Sequence, residues 1–183
     1  MQRTIVEERS KNVVVMDVFS KLAQERIIFI DDIIDDELAN GVIAQMLFMD
    51  SINNNTINVY INSLGGSVYD GLAIYDVAHI IQSPIKTICI GVAASMGAIL
   101  MLMGDERCAT KHSRIMLHQP SGFVKGSSDD IMIMSEEIQK LKKELYDIVE
   151  EKTSLQNVEQ LFKLDTWYTS NEALECGLIT KIL

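Results

Sequence analysis

Two prolines in 183 residues leave no room for a proline-rich linker, and no internal repeat or low-complexity stretch divides the chain. A single domain is therefore expected over residues 1–183, long enough to bury a substantial core. Cysteine is scarce too. Cys89, Cys108 and Cys176 are an odd number without metal-ligand spacing, which speaks against a disulfide framework or a zinc site and for a reducing compartment. Apolar runs fall short of the ~18–20 residues that a membrane span needs, so no membrane partner is expected. Residues 13–16 are too few for the apolar region of a secretory signal, and a cytoplasmic location is expected. Positive charge is in deficit: 16 lysines and arginines face 26 aspartates and glutamates, for a net charge of −10. That balance argues against nucleic acid as a ligand.

Several familiar motifs are missing as well. Gly65-Gly66 follows an apolar stretch, but neither the Walker pattern nor Gly-x-Gly-x-x-Gly surrounds it, so a phosphate cradle is not indicated. The acidic group Asp31, Asp32, Asp35 and Asp36 lacks the glycine and oxygen-ligand pattern of a calcium loop; a solvated turn with acidic residues at a helix N-terminus explains it. His79 and His112 have no second histidine or cysteine at ligand spacing, and no metal is assigned.

What is present is Gly91-Val92-Ala93-Ala94-Ser95-Met96-Gly97-Ala98. Residues 85–90 read as a buried strand and residues 96–103 as a helix packed on all sides. Ser95 then falls at the helix N-terminus, where unpaired N–H groups and the helix dipole favour negative charge. A serine attacking a carbonyl creates such a charge, and preorganised N–H donors are its main stabiliser. Taken alone, the pattern favours a simple N-cap, a common use of serine. His118, at the end of the apolar run 114–117 and two residues before Pro120, adds a base. Asp165, ahead of residues 170–176, adds a carboxylate to hold the imidazole. The order Ser95, His118, Asp165 and the absence of Gly-x-Ser-x-Gly exclude an ordinary α/β-hydrolase.

Four segments in succession resemble the ClpP family of caseinolytic serine peptidases: Tyr60-Ile61-Asn62-Ser63-Leu64-Gly65-Gly66-Ser67, residues 91–98, Met116-Leu117-His118-Gln119-Pro120, and Asp165 with the tail Asn171–Ile179. The resemblance implies an α/β fold, a ClpP/crotonase-like spiral of β-α units with a protruding handle helix over residues 127–152. It implies Ser95 as nucleophile, His118 as base and then acid, Asp165 as orienting carboxylate, and the amides of Gly66 and Met96 as oxyanion hole. Val68, Pro120, Ser121, Gly122 and Phe123 would face substrate, an unfolded polypeptide. Tyr60 and Ile88 would line the docking pocket for an AAA+ unfoldase, or equally serve as core residues. No cofactor is implied, ATP being used by the unfoldase alone, and the assembly would be a homo-oligomer of stacked heptameric rings. Residues 1–16 would be a mobile axial segment. Leu64 stands where the family usually has proline, which predicts a less rigid loop, and Leu164 where many members have an arginine between rings.

The rest of the chain reads as helices over 17–24, 37–49 and 69–82, strands over 26–30 and 56–62, a short amphipathic helix over 154–161, and helix, Gly177 stop and final strand from 170 to 183. Strand–helix alternation predicts a mainly parallel sheet. In the 127–152 helix, Ile131, Met134, Ile138, Leu141, Leu145 and Ile148 form an apolar seam facing either its own core or another helix. Three rival readings stay open: a non-catalytic ring subunit of the same fold, a crotonase-type enzyme acting on acyl-coenzyme A, and a Ser/Lys peptidase using Lys111.

Overall fold

The computed structural model describes residues 4–9, 12–122 and 124–183; Phe123, one of the expected substrate-facing residues, lies outside the described residues, as do parts of the 1–16 segment. Among the described residues the chain starts with an antiparallel hairpin, β1 (Thr4–Arg9) and β2 (Asn12–Asp17), where the sequence had suggested a mobile segment. Asp17 then caps α1 (Val18–Gln24), accepting the N–H groups of Phe19 and Ser20 at 2.9 and 3.0 Å.

Alternation of β3 (Ile27–Ile30), α2 (Asp36–Ile52), β4 (Ile57–Ser63), α3 (Val68–Ile80), β5 (Ile85–Ala94) and α4 (Met96–Met101) follows. The strands pair in parallel, β3 with β4 and β4 with β5, as strand–helix crossovers require. Their β-branched runs are buried: Ile28, Ile30, Ile57, Val59, Ile61 and Ile85 belong to the core, with Val42, Met46 and Ile74 of the helices packed against them.

β5 is longer than its apolar run suggests, and the extension positions the site. Its first half, Lys86–Cys89, pairs with β6 (Glu106–Ala109), and its second, Val92–Ala94, with β7 (Arg114–Leu117). Gly91 makes the change of partner at φ 90°, a conformation closed to most side chains. Asn62 fills the resulting bulge and accepts the Val92 N–H at 3.2 Å. Neither β6 nor β8 (Thr166–Thr169) was legible in the sequence, and β8 runs antiparallel to β7. The expected last strand shrinks to β9 (Lys181–Ile182), because Ile179 and Thr180 are tied instead to Ala173 and Arg107.

α5 (Ser128–Lys152) starts at a capping box, Ser127 with Asp130. Only Leu145 and Val149 of this helix are buried. The seam therefore splits: its C-terminal part meets the core, while Ile131, Met132, Ile133 and Met134 stand exposed, Ile133 by 67 %. α6 (Val158–Phe162) and α7 (Ser170–Glu175) close the chain, with Gly177 at φ 79° ending the latter region.

Close packing under the site gives a stability prediction. A Cβ added at Gly71 of α3 would lie 2.3 Å from Met96 Cγ and 2.7 Å from its Cε. Met96 is itself fully enclosed, so Gly71→Ala overpacks the core at about 1–3 kcal/mol. The melting temperature should fall by roughly 3–10 °C in a thermal scan of a chain this size.

Candidate active site

Ser95 sits between the end of β5 and the start of α4, at φ 54° and ψ −124°. A non-glycine residue held there is strained, which marks a position the surroundings over-determine. Its N–H donates to Met116 O of β7 at 2.9 Å, and its carbonyl accepts from Ala98 and Ile99 of α4. Its hydroxyl makes no cap bond to the helix. The N-cap reading therefore fails. Instead the Oγ lies 2.7 Å from His118 Nε2.

The register of the two strands brings in the other two residues. β7 and β8 pair Arg114 with Thr169, Ile115 with Tyr168, Met116 with Trp167 and Leu117 with Thr166. One step beyond the ladder, His118 and Asp165 fall opposite each other, as directly facing side chains in an antiparallel pair do. Asp165 Oδ1 is 3.5 Å from His118 Nδ1, an ion-pair distance longer than a good hydrogen bond. The carboxylate is 70 % exposed and the imidazole 28 %. With Nδ1–H directed at Asp165, Nε2 is free to accept the Ser95 proton.

A glycine turn lies against Ser95. A Cβ on Gly65, at φ 101°, would stand 2.7 Å from Ser95 Cβ and 2.8 Å from Ala94 O. Ser63 Oγ accepts the Gly65 N–H at 3.1 Å and donates to Asp32 O at 2.6 Å. Gly65 O accepts from Ile34 N, and Ile34 O accepts from Ser67 N at 2.7 Å. Within the described residues the amide hydrogens of Gly66 and Met96 have no acceptor, so both remain available. Leu64, 70 % exposed, contributes no packing to the turn, which is held by these backbone and Ser63 bonds. Ser63 escaped the sequence reading; a serine directly before a Leu-Gly-Gly turn is the signal for it.

Burial pushes the Cys89 thiol up to about 11 and the phenols of Tyr75 and Tyr168 up to about 12, so these three groups stay protonated at neutral pH. No hydrogen bond joins Lys111 to Ser95 among the described residues, Lys111 lying exposed in the turn after β6. No helix among the described residues is long and apolar enough to cross a membrane.

Val68 opens α3 immediately after the glycine turn. Pro120, Ser121 and Gly122 leave β7 without joining a strand, and Gly122 runs beside Ile138 of α5, 3.7 Å from a built Cβ. Tyr60 and Ile88 are register partners on β4 and β5. Tyr60 stacks on Phe29 with ring centroids 5.4 Å apart, whereas Ile88 is only 3 % exposed yet lies outside the main hydrophobic core cluster.

A strained serine at a strand–helix junction, bonded to an imidazole that faces a carboxylate, defines a serine hydrolase site. Its carrier is a parallel β-α spiral with a projecting helix. The sequence model of the Clp protease family matches residues 9–183, and the chain belongs to that family. It is 48 % identical to an ATP-dependent Clp protease proteolytic subunit of Bacteroides thetaiotaomicron, over 98 % of this chain and 84 % of the relative. The corresponding subunit of Porphyromonas gingivalis is 46 % identical over 98 % of this chain and 83 % of its own length. Subunit 1 of Salinibacter ruber is 39 % identical, over 98 % and 79 %.

Proposed function

We propose that this chain is the proteolytic subunit of an ATP-dependent Clp protease, a serine endopeptidase that cuts unfolded polypeptide into short peptides inside an oligomeric chamber. One observation carries the reading: a strained Ser95 whose hydroxyl lies 2.7 Å from His118 Nε2. Ser95 Oγ attacks the scissile carbonyl as His118 takes its proton. The amides of Gly66 and Met96 hold the oxyanion, and Asp165 keeps the imidazole in the productive tautomer and stabilises its cation. His118 then protonates the leaving amine, and water, deprotonated by the same imidazole, releases the acyl group. Substrate backbone lies along the segment that follows β7, with Val68, Pro120, Ser121 and Gly122 around its side chains. Main-chain bonding of that kind tolerates many sequences. Nucleophile, base and anion stabiliser all come from the chain, so the reaction calls for no cofactor; ATP is consumed by a partner AAA+ unfoldase.

The exposed apolar residues 131–134 on the projecting half of α5 support assembly through that helix, in stacked heptameric rings. The unfoldase docks near Tyr60, with Ile88 as the floor of its pocket, and the protein works in the cytoplasm. Residues 1–183 act as one peptidase domain with residues 1–16 at the axial entrance.

A fluorophosphonate probe tests the reading on the assembled particle. Mass spectrometry should find the adduct on Ser95, and His118→Ala should prevent it. An assembled particle without adduct would instead be a structural ring subunit.

A further inference from the structure

The ladder between β7 and β8 brings Asp165 opposite His118, but it ends one residue short of both. Beyond the ladder, both sides are tied to the end of α6. This five-residue helix is anchored by Val158 and Phe162, both buried, and Phe162 meets the edge of Tyr146 on α5 with centroids 4.7 Å apart. The final carbonyls of a helix have no partner inside it. Here two of them are taken by donors that directly follow His118 and Asp165 in the chain. Phe162 O accepts the N–H of Gln119, the residue after His118, at 2.8 Å. Leu161 O accepts the hydroxyl of Thr166, the residue after Asp165, at 2.9 Å, and the same hydroxyl reaches Leu164 O at 3.3 Å.

We infer that Thr166 is a positioning residue for catalysis: its hydroxyl, bound to the end of α6, folds residues 162–165 so that Asp165 meets His118. The last turn of α6 is then a clamp with one contact on each partner, a backbone N–H on the histidine side and a side-chain hydroxyl on the aspartate side. The histidine half is independent of side-chain identity. The aspartate half depends on Thr166 alone, and Asp165 needs it, being largely exposed and held by no hydrogen bond among the described residues. Freed from the clamp, a carboxylate so placed turns to water.

This inference rests on the proposed roles of His118 and Asp165, and the test separates the two. Thr166→Val keeps the branched shape that suits a strand and removes the hydroxyl. Fluorophosphonate labelling of Ser95 and kcat for a short fluorogenic peptide should both fall about 10- to 100-fold, the cost of misplacing a reacting group by roughly 1 Å. KM should hold, since Thr166 is not placed against substrate. Thr166→Ser should recover most of the lost rate. In the Asp165→Asn background the valine substitution should cost nothing further, because the carboxylate it positions has gone. Wild-type rates in Thr166→Val would overturn the inference. So would an equal loss in Thr166→Ser, which also decides the matter if the valine variant does not fold, or a loss that adds to that of Asp165→Asn. Unchanged labelling in Asp165→Asn alone would strike at the triad itself.

Discussion

Ser95→Ala is expected to lower kcat for a short peptide about 10⁶-fold, His118→Ala by a similar factor, and the double variant scarcely more. In the proposed mechanism the two residues act as one unit. The hydroxyl is a weak nucleophile until a base accepts its proton, and the base has nothing to activate without the hydroxyl. The 2.7 Å contact between Oγ and Nε2 is the structural expression of that dependence. Ser95 is also the residue whose φ of 54° makes the chain turn sharply from β5 into α4. Alanine meets the same steric restriction, so folding and assembly should survive, and a native-mass measurement checks that they do. A Ser/Lys mechanism through Lys111 makes the opposite prediction for His118→Ala, which would stay active. Independent, multiplying losses in the two single variants would show that serine and histidine do not work together.

Much of this site was open to reading in the sequence because its local signals are strong. Small residues around Ser95, an apolar run ending at His118, and the Gly65-Gly66 pair each state a backbone requirement. The longer helices were also legible, since their apolar spacing is a property of the segment alone. β6 and β8 were not. Each is four residues long and mixes charged or aromatic residues with small ones, so neither shows a clear period of two. They become strands through pairing with β5 and β7, which are distant in sequence. The same non-local pairing hid the reason for the convergence of His118 and Asp165. Both side chains could be nominated, but only the antiparallel register shows that they face each other. The pairing of β1 with β2 and the continuation of β5 through Gly91 depend likewise on partners. The seam of α5 misled in part, because a regular apolar spacing cannot say which of its members meet the core. Leu145 does, whereas Ile131 and Met134 are left on the surface.

The second large effect is expected from Gly66→Ala, which leaves serine, histidine and aspartate untouched. A Cβ built at residue 66 lies 2.2 Å from Ile34 O, 2.6 Å from Ile34 N and 2.8 Å from Ile34 C. All three atoms are backbone, so no side-chain rotation relieves the contact. Ile34 is fully buried and bonded on both sides of residue 66, to Gly65 O and from Ser67 N. The turn itself must therefore move, and it carries the Gly66 N–H away from the position proposed for the oxyanion. Loss of one such donor costs about 100- to 1,000-fold in kcat, or ~3–4 kcal/mol of transition-state stabilisation. The hydroxyl and imidazole stay paired, so the dependence of rate on pH should keep its shape while its height falls. Ile34 and Gly65 are buried, so some loss of stability accompanies the loss of rate, and circular dichroism with native mass checks that the particle remains folded and assembled. A Gly66→Ala particle that is folded, assembled and fully active would remove that amide from the mechanism and leave Met96 N–H as the remaining proposed donor to the oxyanion.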